Sequence, residues 1–236
     1  AAGFRTPTLS ELYATDIAKK NDRLTIGNLD LKPEKNNYFS LSAEYVHERF
    51  SVSVNAFYNN IRDMIDYNTI ATGDKAMEQY GHKEVRQRDN IAEAKVHGIN
   101  VSANAYLGAG FNLSGGYTHL NTQDVELEQP IDKSIKNAYN INAQWAHSWK
   151  IYRLNINLNG RINSKRFSKS YGYAPEYQLW DLNTRHSFNL KSVIIEPGFG
   201  MENLFDYMDD RPYNSNYATL TPGRSFYISL SLKFKS

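Results

Sequence analysis

Phe226-Tyr-Ile-Ser-Leu-Ser-Leu-Lys-Phe-Lys-Ser236 alternates without a break. In an extended chain successive side chains point to opposite sides. Phe226, Ile228, Leu230, Leu232 and Phe234 therefore share one face, and Tyr227, Ser229, Ser231, Lys233 and Lys235 share the other. One such strand would also suit a soluble sandwich. Working back through the chain, nearly every strand candidate repeats the pattern, which is the signature of a transmembrane β-barrel wall, greasy outside and wet within.

Composition agrees. The 236 residues fit one all-β domain, and 41% hydrophobic content with a mean hydropathy of −0.61 leaves no run near the roughly 18 apolar residues of a spanning helix. A barrel escapes that test because only alternate residues meet lipid. The absence of cysteine rules out a disulfide framework and a thiolate metal site. With 27 basic and 25 acidic residues and no concentrated basic run, the chain has no bulk attraction to nucleic acid. Seventeen tyrosines and three tryptophans point to a hydrocarbon–water boundary, where amphipathic rings collect. Enzymatic chemistry finds no support: there is no zinc spacing and no Gly-rich phosphate loop, and Ser187 beside His186 must face the opposite side of a strand. No cofactor is expected.

The strand candidates are 37–45, 50–59, 98–107, 111–121, 139–149, 154–163, 177–188, 193–203 and 224–234. Short links near 47–49, 108–110, 150 and between 188 and 193 alternate with long ones at 60–92, 122–136, 164–176 and 204–222. Short periplasmic turns and longer outer loops are the habit of outer-membrane barrels, and nine crossings keep every long loop on one side. Nine is nonetheless odd. Bacterial single-chain barrels have even strand numbers, and an open sheet in lipid leaves two unsatisfied edges, so the chain is expected to be the C-terminal portion of a larger barrel.

Two boxes give this expectation a family. Gly3-Phe-Arg-Thr-Pro-Thr-Leu-Ser-Glu-Leu-Tyr13 and Gly27-Asn-Leu-Asp-Leu-Lys-Pro-Glu34 resemble the paired boxes of TonB-dependent outer-membrane receptors. The first has Thr6 where the family has alanine, and the second has Leu29 and Asp30 at its middle positions. Glu202-Asn-Leu-Phe-Asp206 resembles the family motif before the last loop, and Pro222-Gly-Arg-Ser-Phe-Tyr227 its closing strand, although Lys235 and Ser236 follow where the family usually ends on an aromatic residue. The resemblance implies an all-β antiparallel barrel of about 22 strands, of which this chain supplies nine, with residues 1–35 as an outer loop and 36–236 as the strands. It also implies a lumen plug outside this chain, energy relayed by TonB through that plug, outer-membrane lipid around the wall, and an iron-siderophore, haem or cobalamin as cargo. A passive porin is the alternative.

Variable binding chemistry sits on loops held by a rigid scaffold. The outer loops combine cations, rings and phenols suited to an anionic or aromatic ligand: Arg62, Tyr67, Tyr80, His82, Arg86 and Arg88; then Arg166, Tyr171 and Tyr173; then Arg211, Tyr213 and Tyr217. Arg5 and Tyr13 in the first box join them. By resemblance, haem receptors place a histidine between the boxes; here that stretch has none, and Tyr13 and His82 are the groups left to approach haem iron. Tyr45, Tyr58, Tyr117, Tyr139, Trp145, Trp149, Trp180 and Tyr227 are expected in the membrane girdle, and Asn155, Asn157, Asn159 and Arg161 against the lumen filling.

Overall fold

A computed structural model of the chain describes residues 1–168, 172–209 and 222–235. The strands are β1 (Ala2–Arg5), β2 (Thr15–Ala18), β3 (Arg23–Ile26), β4 (Glu34–Val46), β5 (Phe50–Thr72), β6 (Glu84–Gly108), β7 (Phe111–Asp124), β8 (Asn137–Trp149), β9 (Tyr152–Asn163), β10 (Arg166–Ser168), β11 (Gly172–Ala174), β12 (Tyr177–Asn189), β13 (Val193–Glu202) and β14 (Ser225–Phe234). Two short helices, α1 (Leu9–Tyr13) and α2 (Gly73–Tyr80), complete the fold. The chain divides into two units, one of residues 1–40, 57–97 and 122–131, the other of the remainder.

The second unit is an antiparallel wall in the order β4-β5-β6-β7-β8-β9-β12-β13-β14, with β10 and β11 as a separate hairpin. These are the nine strands expected from alternation. Their register brings like faces together. On the polar face, Asn142 Nδ2 donates to Oδ1 of Asn157 at 2.7 Å and of Asn159 at 2.6 Å. Asn55 likewise reaches Ser42, Thr118 reaches Asn100, and Ser53 meets Ser102. The apolar face packs rings across strands: Tyr117 stacks on Tyr139 and Trp149 on Tyr152, while Phe111 lies tilted against Trp145.

That apolar face is open. Leu230 is 65% exposed and Phe234 81%. Soluble proteins do not leave such a row uncovered, whereas a barrel turns it to lipid and keeps its amide-rich face for the lumen. Tight turns join the strands at this unit's rim. At 108–110 all three residues have positive φ, and a Cβ on Gly110 would sit 2.0 Å from the Ala146 carbonyl oxygen, so only glycine fits there.

The first unit departs from the expected loops. Residues 60–92 were expected to be a polar loop, yet β5 runs 23 residues and β6 runs 25, far beyond the roughly 10 a tilted strand needs to cross a bilayer. Within 1–35, expected to be a loop, lie β1, α1, β2 and β3. This unit's strands follow the order β1-β4-β5-β6-β3-β2, with β3 parallel to β6 from Arg23↔Glu84 to Ile26↔Gln87. Alternation fails here because residues 61–72 mix apolar and charged side chains without a period of two, so the strand character rests on hydrogen bonding to neighbouring strands. Its apolar core is small: Leu31, Ile65, Ala76, Val85 and Ala94.

Candidate ligand-binding surface

Arg5 is the hub of the first unit. Its guanidinium forks onto Glu34 through Nε at 2.7 Å and Nη2 at 2.6 Å, and onto Glu11 through Nη1 at 2.9 Å and Nη2 at 3.1 Å. Bidentate pairs of this kind fix orientation as well as charge. Glu11 also closes a capping box with Thr8, and Glu34 Oε1 accepts from the Ile65 N–H. Asn28 N–H donates to the Glu11 carbonyl at 3.0 Å, so the two boxes are bound to each other by side chain and backbone. Beside this guanidinium the Glu11 carboxyl is held down to about 2 and that of Glu34 below its ordinary value, while Arg5 is held still more firmly charged. Asn90 ties the second box to the outer strands, accepting from Lys32 N–H and donating to the Lys32 and Asp63 carbonyls.

The other cations and rings of this unit fall into pairs. Arg88 lies 3.7 Å over the centre of the Tyr67 ring and donates to its hydroxyl, so β5 and β6 present a cation already stacked on a phenol. Arg86 donates to Glu84 at 2.6 Å, and Arg62 approaches Glu93 at 3.9 Å. His82 Nδ1 meets Asp22 Oδ1 at 2.9 Å, which lowers the Asp22 carboxyl, and Lys83 N–H donates to the Asp22 carbonyl, clasping the β2–β3 hairpin to the start of β6. Tyr80 ends α2, and Tyr13 ends α1 and is 67% exposed. In the wall unit, Arg166 lies on β10 and Tyr173 on β11 with its ring edge-on to Phe167. Tyr171, Arg211, Tyr213 and Tyr217 lie outside the described residues. Of the expected contacts, Tyr67 and Arg88 are seen touching one another. Among the described residues no three histidines or carboxylates gather as a metal site.

The wall has a feature that was not foreseen. Arg153, Asn155, Asn157, Asn183, Arg185 and Glu196 help line a polar lumen-side cavity of about 560 Å³, and Tyr227 lines it too. Tyr227 was expected in the girdle. Instead it lies across Gly200, its partner in register, to bond Asn183 on the next strand at 2.5 Å. The strand phase already gave the signal, since Tyr227 alternates with Ser229 and Lys233 rather than with Phe226. Trp180 does keep to the apolar face, lying across Gly160.

Residues 1–204 match the family described as TonB dependent receptor-like, beta-barrel. Among curated proteins, one described as "Probable TonB-dependent siderophore receptor PiuA" of Acinetobacter baumannii is 28% identical over 162 residues, covering 61% of this chain and 21% of that protein. A point mutant of the ferric enterobactin receptor PfeA from Pseudomonas aeruginosa, solved with enterobactin, superposes with a TM-score of 0.72 at 20% identity, covering 98% of this chain and 37% of that one. The copper transporter OprC gives 0.71 at 13% identity, over 99% and 36%. The chain thus spans about a fifth of the curated relative and little more than a third of these solved barrels. It belongs to the TonB-dependent receptor β-barrel family, as a partial barrel of that fold.

Proposed function

We infer that this chain is the C-terminal portion of an outer-membrane receptor that captures a ferric siderophore at its outer face and imports it with energy relayed by TonB through a lumen plug. In this reading residues 1–35 form an outer segment and 36–236 supply wall strands set in lipid. The family match and the siderophore receptor among the relatives support it. The observation that carries it in this chain is the Arg88–Tyr67 couple, whose cation faces a ring instead of a carboxylate and so keeps its charge for an anionic, aromatic-bearing chelate. Arg5, Arg62, Arg86 and His82 are engaged by carboxylates and serve first to hold the outer segment in shape. Haem and cobalamin are the competing cargoes.

The test is binding by the full-length receptor, read as tryptophan quenching with ferric siderophores, haem and cobalamin compared side by side. Arg88→Gln is expected to weaken siderophore binding about 10-fold, the worth of one desolvated cation–ring contact of roughly 1.4 kcal/mol. Tight binding of haem or cobalamin with no siderophore affinity would overturn the reading. Uptake that persists without TonB would return the protein to the passive porins.

A further inference from the structure

On the apolar face a chain of rings crosses four strands just above the 150–151 and 190–192 turns. His147 stacks parallel to Trp145 at 5.9 Å and stands edge-on to Trp149 at 4.4 Å. Trp149 stacks on Tyr152 at 5.5 Å, and the Tyr152 hydroxyl meets His186 Nδ1 at 2.7 Å. His186 stands edge-on to Phe199, and Tyr152 packs on Phe188. Two imidazoles on a face turned to hydrocarbon would be costly, since lipid tails offer polar groups nothing. Their depth resolves this. His147 lies three residues from Lys150 and His186 four from Leu190, about 8 and about 10 Å along the membrane normal for a strand rising ~3.3 Å per residue at a tilt of ~40°. The polar zone on each side of a bilayer is about 5–8 Å thick, so the imidazoles stand at the foot of the headgroups and the turns stand among them.

The turns carry unbalanced positive charge. Residues 145–153 and 184–195 contain Lys150, Arg153, Arg185 and Lys191 and no aspartate or glutamate. The two turns touch, with Asn189 N–H donating to the Ile151 carbonyl at 2.7 Å. Lys235 reaches the same place, but its ammonium is bound to Asn189 Oδ1 and the Leu190 carbonyl. Arg153 and Arg185 belong to the lumen cavity. That leaves Lys150 and Lys191, both exposed and with no hydrogen-bond or salt-bridge partner among the described residues.

We propose that this rim is a binding site for an anionic phospholipid, its phosphate held between Lys150 and Lys191 and its glycerol region resting on the Trp149–Tyr152–His186 rings. The site rests on the membrane placement inferred above and adds to it a headgroup preference. A zwitterionic lipid meets the same rings, but its own cation opposes the two lysines.

The experiment uses the full-length receptor, delipidated in detergent and offered equimolar phosphatidylglycerol and phosphatidylcholine, with bound lipid read by native mass spectrometry. Wild type is expected to retain phosphatidylglycerol over phosphatidylcholine by on the order of 10-fold, given the usual attraction of each surface lysine to anionic lipid. Lys150→Gln/Lys191→Gln brings the ratio near one, while Arg49→Gln, at another turn, leaves it unchanged. Equal retention by wild type, or a preference that survives the double substitution, overturns the proposal. Displacement of the lipid by excess inorganic phosphate also overturns it, because the site would then be one for free anions. Failure of the receptor to float with phosphatidylcholine vesicles is a separate result, which removes the membrane placement itself and the lipid site with it.

Discussion

Gly200→Ala sets two general expectations against each other. In a strand interior alanine is ordinarily better than glycine by about 0.5–1 kcal/mol, because glycine gives up more backbone freedom on folding. Here the added methyl would lie 2.1 Å from Tyr227 Cζ and 2.6 Å from its hydroxyl. The ring must leave, and the lumen cavity beside it gives it somewhere to go. Leaving costs the bond to Asn183, about 1 kcal/mol, and about 1–3 kcal/mol of local overpacking and lost contact. The net is a destabilisation of about 1–3 kcal/mol. In a Tyr227→Ala background the three atoms nearest that methyl are gone, so the same substitution should stabilise by about 0.5–1 kcal/mol. The sign therefore reverses between backgrounds, with a coupling of about 2–4 kcal/mol. Urea unfolding of the full-length receptor in micelles, followed by tryptophan fluorescence, reads all four corners of the cycle. Equal effects in the two backgrounds would refute the account, and would also return Tyr227 to the lipid face, where a change at Gly200 could not reach it.

The Arg5 hub predicts acid sensitivity of the outer segment. Glu11 is held at about 2 against an ordinary 4.5. A depressed carboxyl stabilises fully above its unfolded value, and that stability drains away as the pH falls from about 4.5 toward 2. Pepsin cleavage within residues 1–34 should therefore rise steeply across that window in the wild type and be already high at its upper edge in Arg5→Gln; a profile shared by both proteins would sink the idea. The Asp22–His82 clasp should slow amide exchange in 15–26. His82→Ala should speed exchange there severalfold while leaving β8 and β9 untouched, and unchanged exchange would mean that β3–β6 pairing alone holds the hairpin.

Much of the wall could be read from residues alone because lipid imposes a rule on every second position. Ile156 and Leu158 must face out, and Asn155 and Asn157 are then forced in. The outer extension obeys no such rule. Ile61-Arg-Asp-Met-Ile-Asp-Tyr-Asn-Thr-Ile-Ala-Thr72 continues β5 with no strict alternation, burying only Ile65 among its large apolar side chains, so its strand character comes from hydrogen bonding to neighbours, which no local pattern records. Residues 84–92 hide for the same reason, and β3 joins β6 in parallel with each residue of Arg23 to Ile26 opposite one 61 positions later, a pairing that leaves no hairpin signal.

The candidate site was half legible for a different reason. A cation on an outer loop is visible in sequence, but its partner is not. Arg5 and Glu34 are 29 residues apart, and only the register of β1 on β4, which sets them opposite one another, turns an apparent ligand contact into a tie between the two boxes. Arg88 and Tyr67 are 21 residues apart and meet because β5 and β6 run side by side through these positions. Both arginines look alike in the sequence; what separates them is whether the fold places a carboxylate or a ring beneath the guanidinium. A carboxylate neutralises the cation and makes it scaffold, whereas a ring orients it and leaves its charge to act on something else. For this family of wall, the residues to test first for ligand contact are therefore those whose charge the fold has positioned without cancelling, and in the described outer strands Arg88 meets that condition where Arg5 and Arg86 do not.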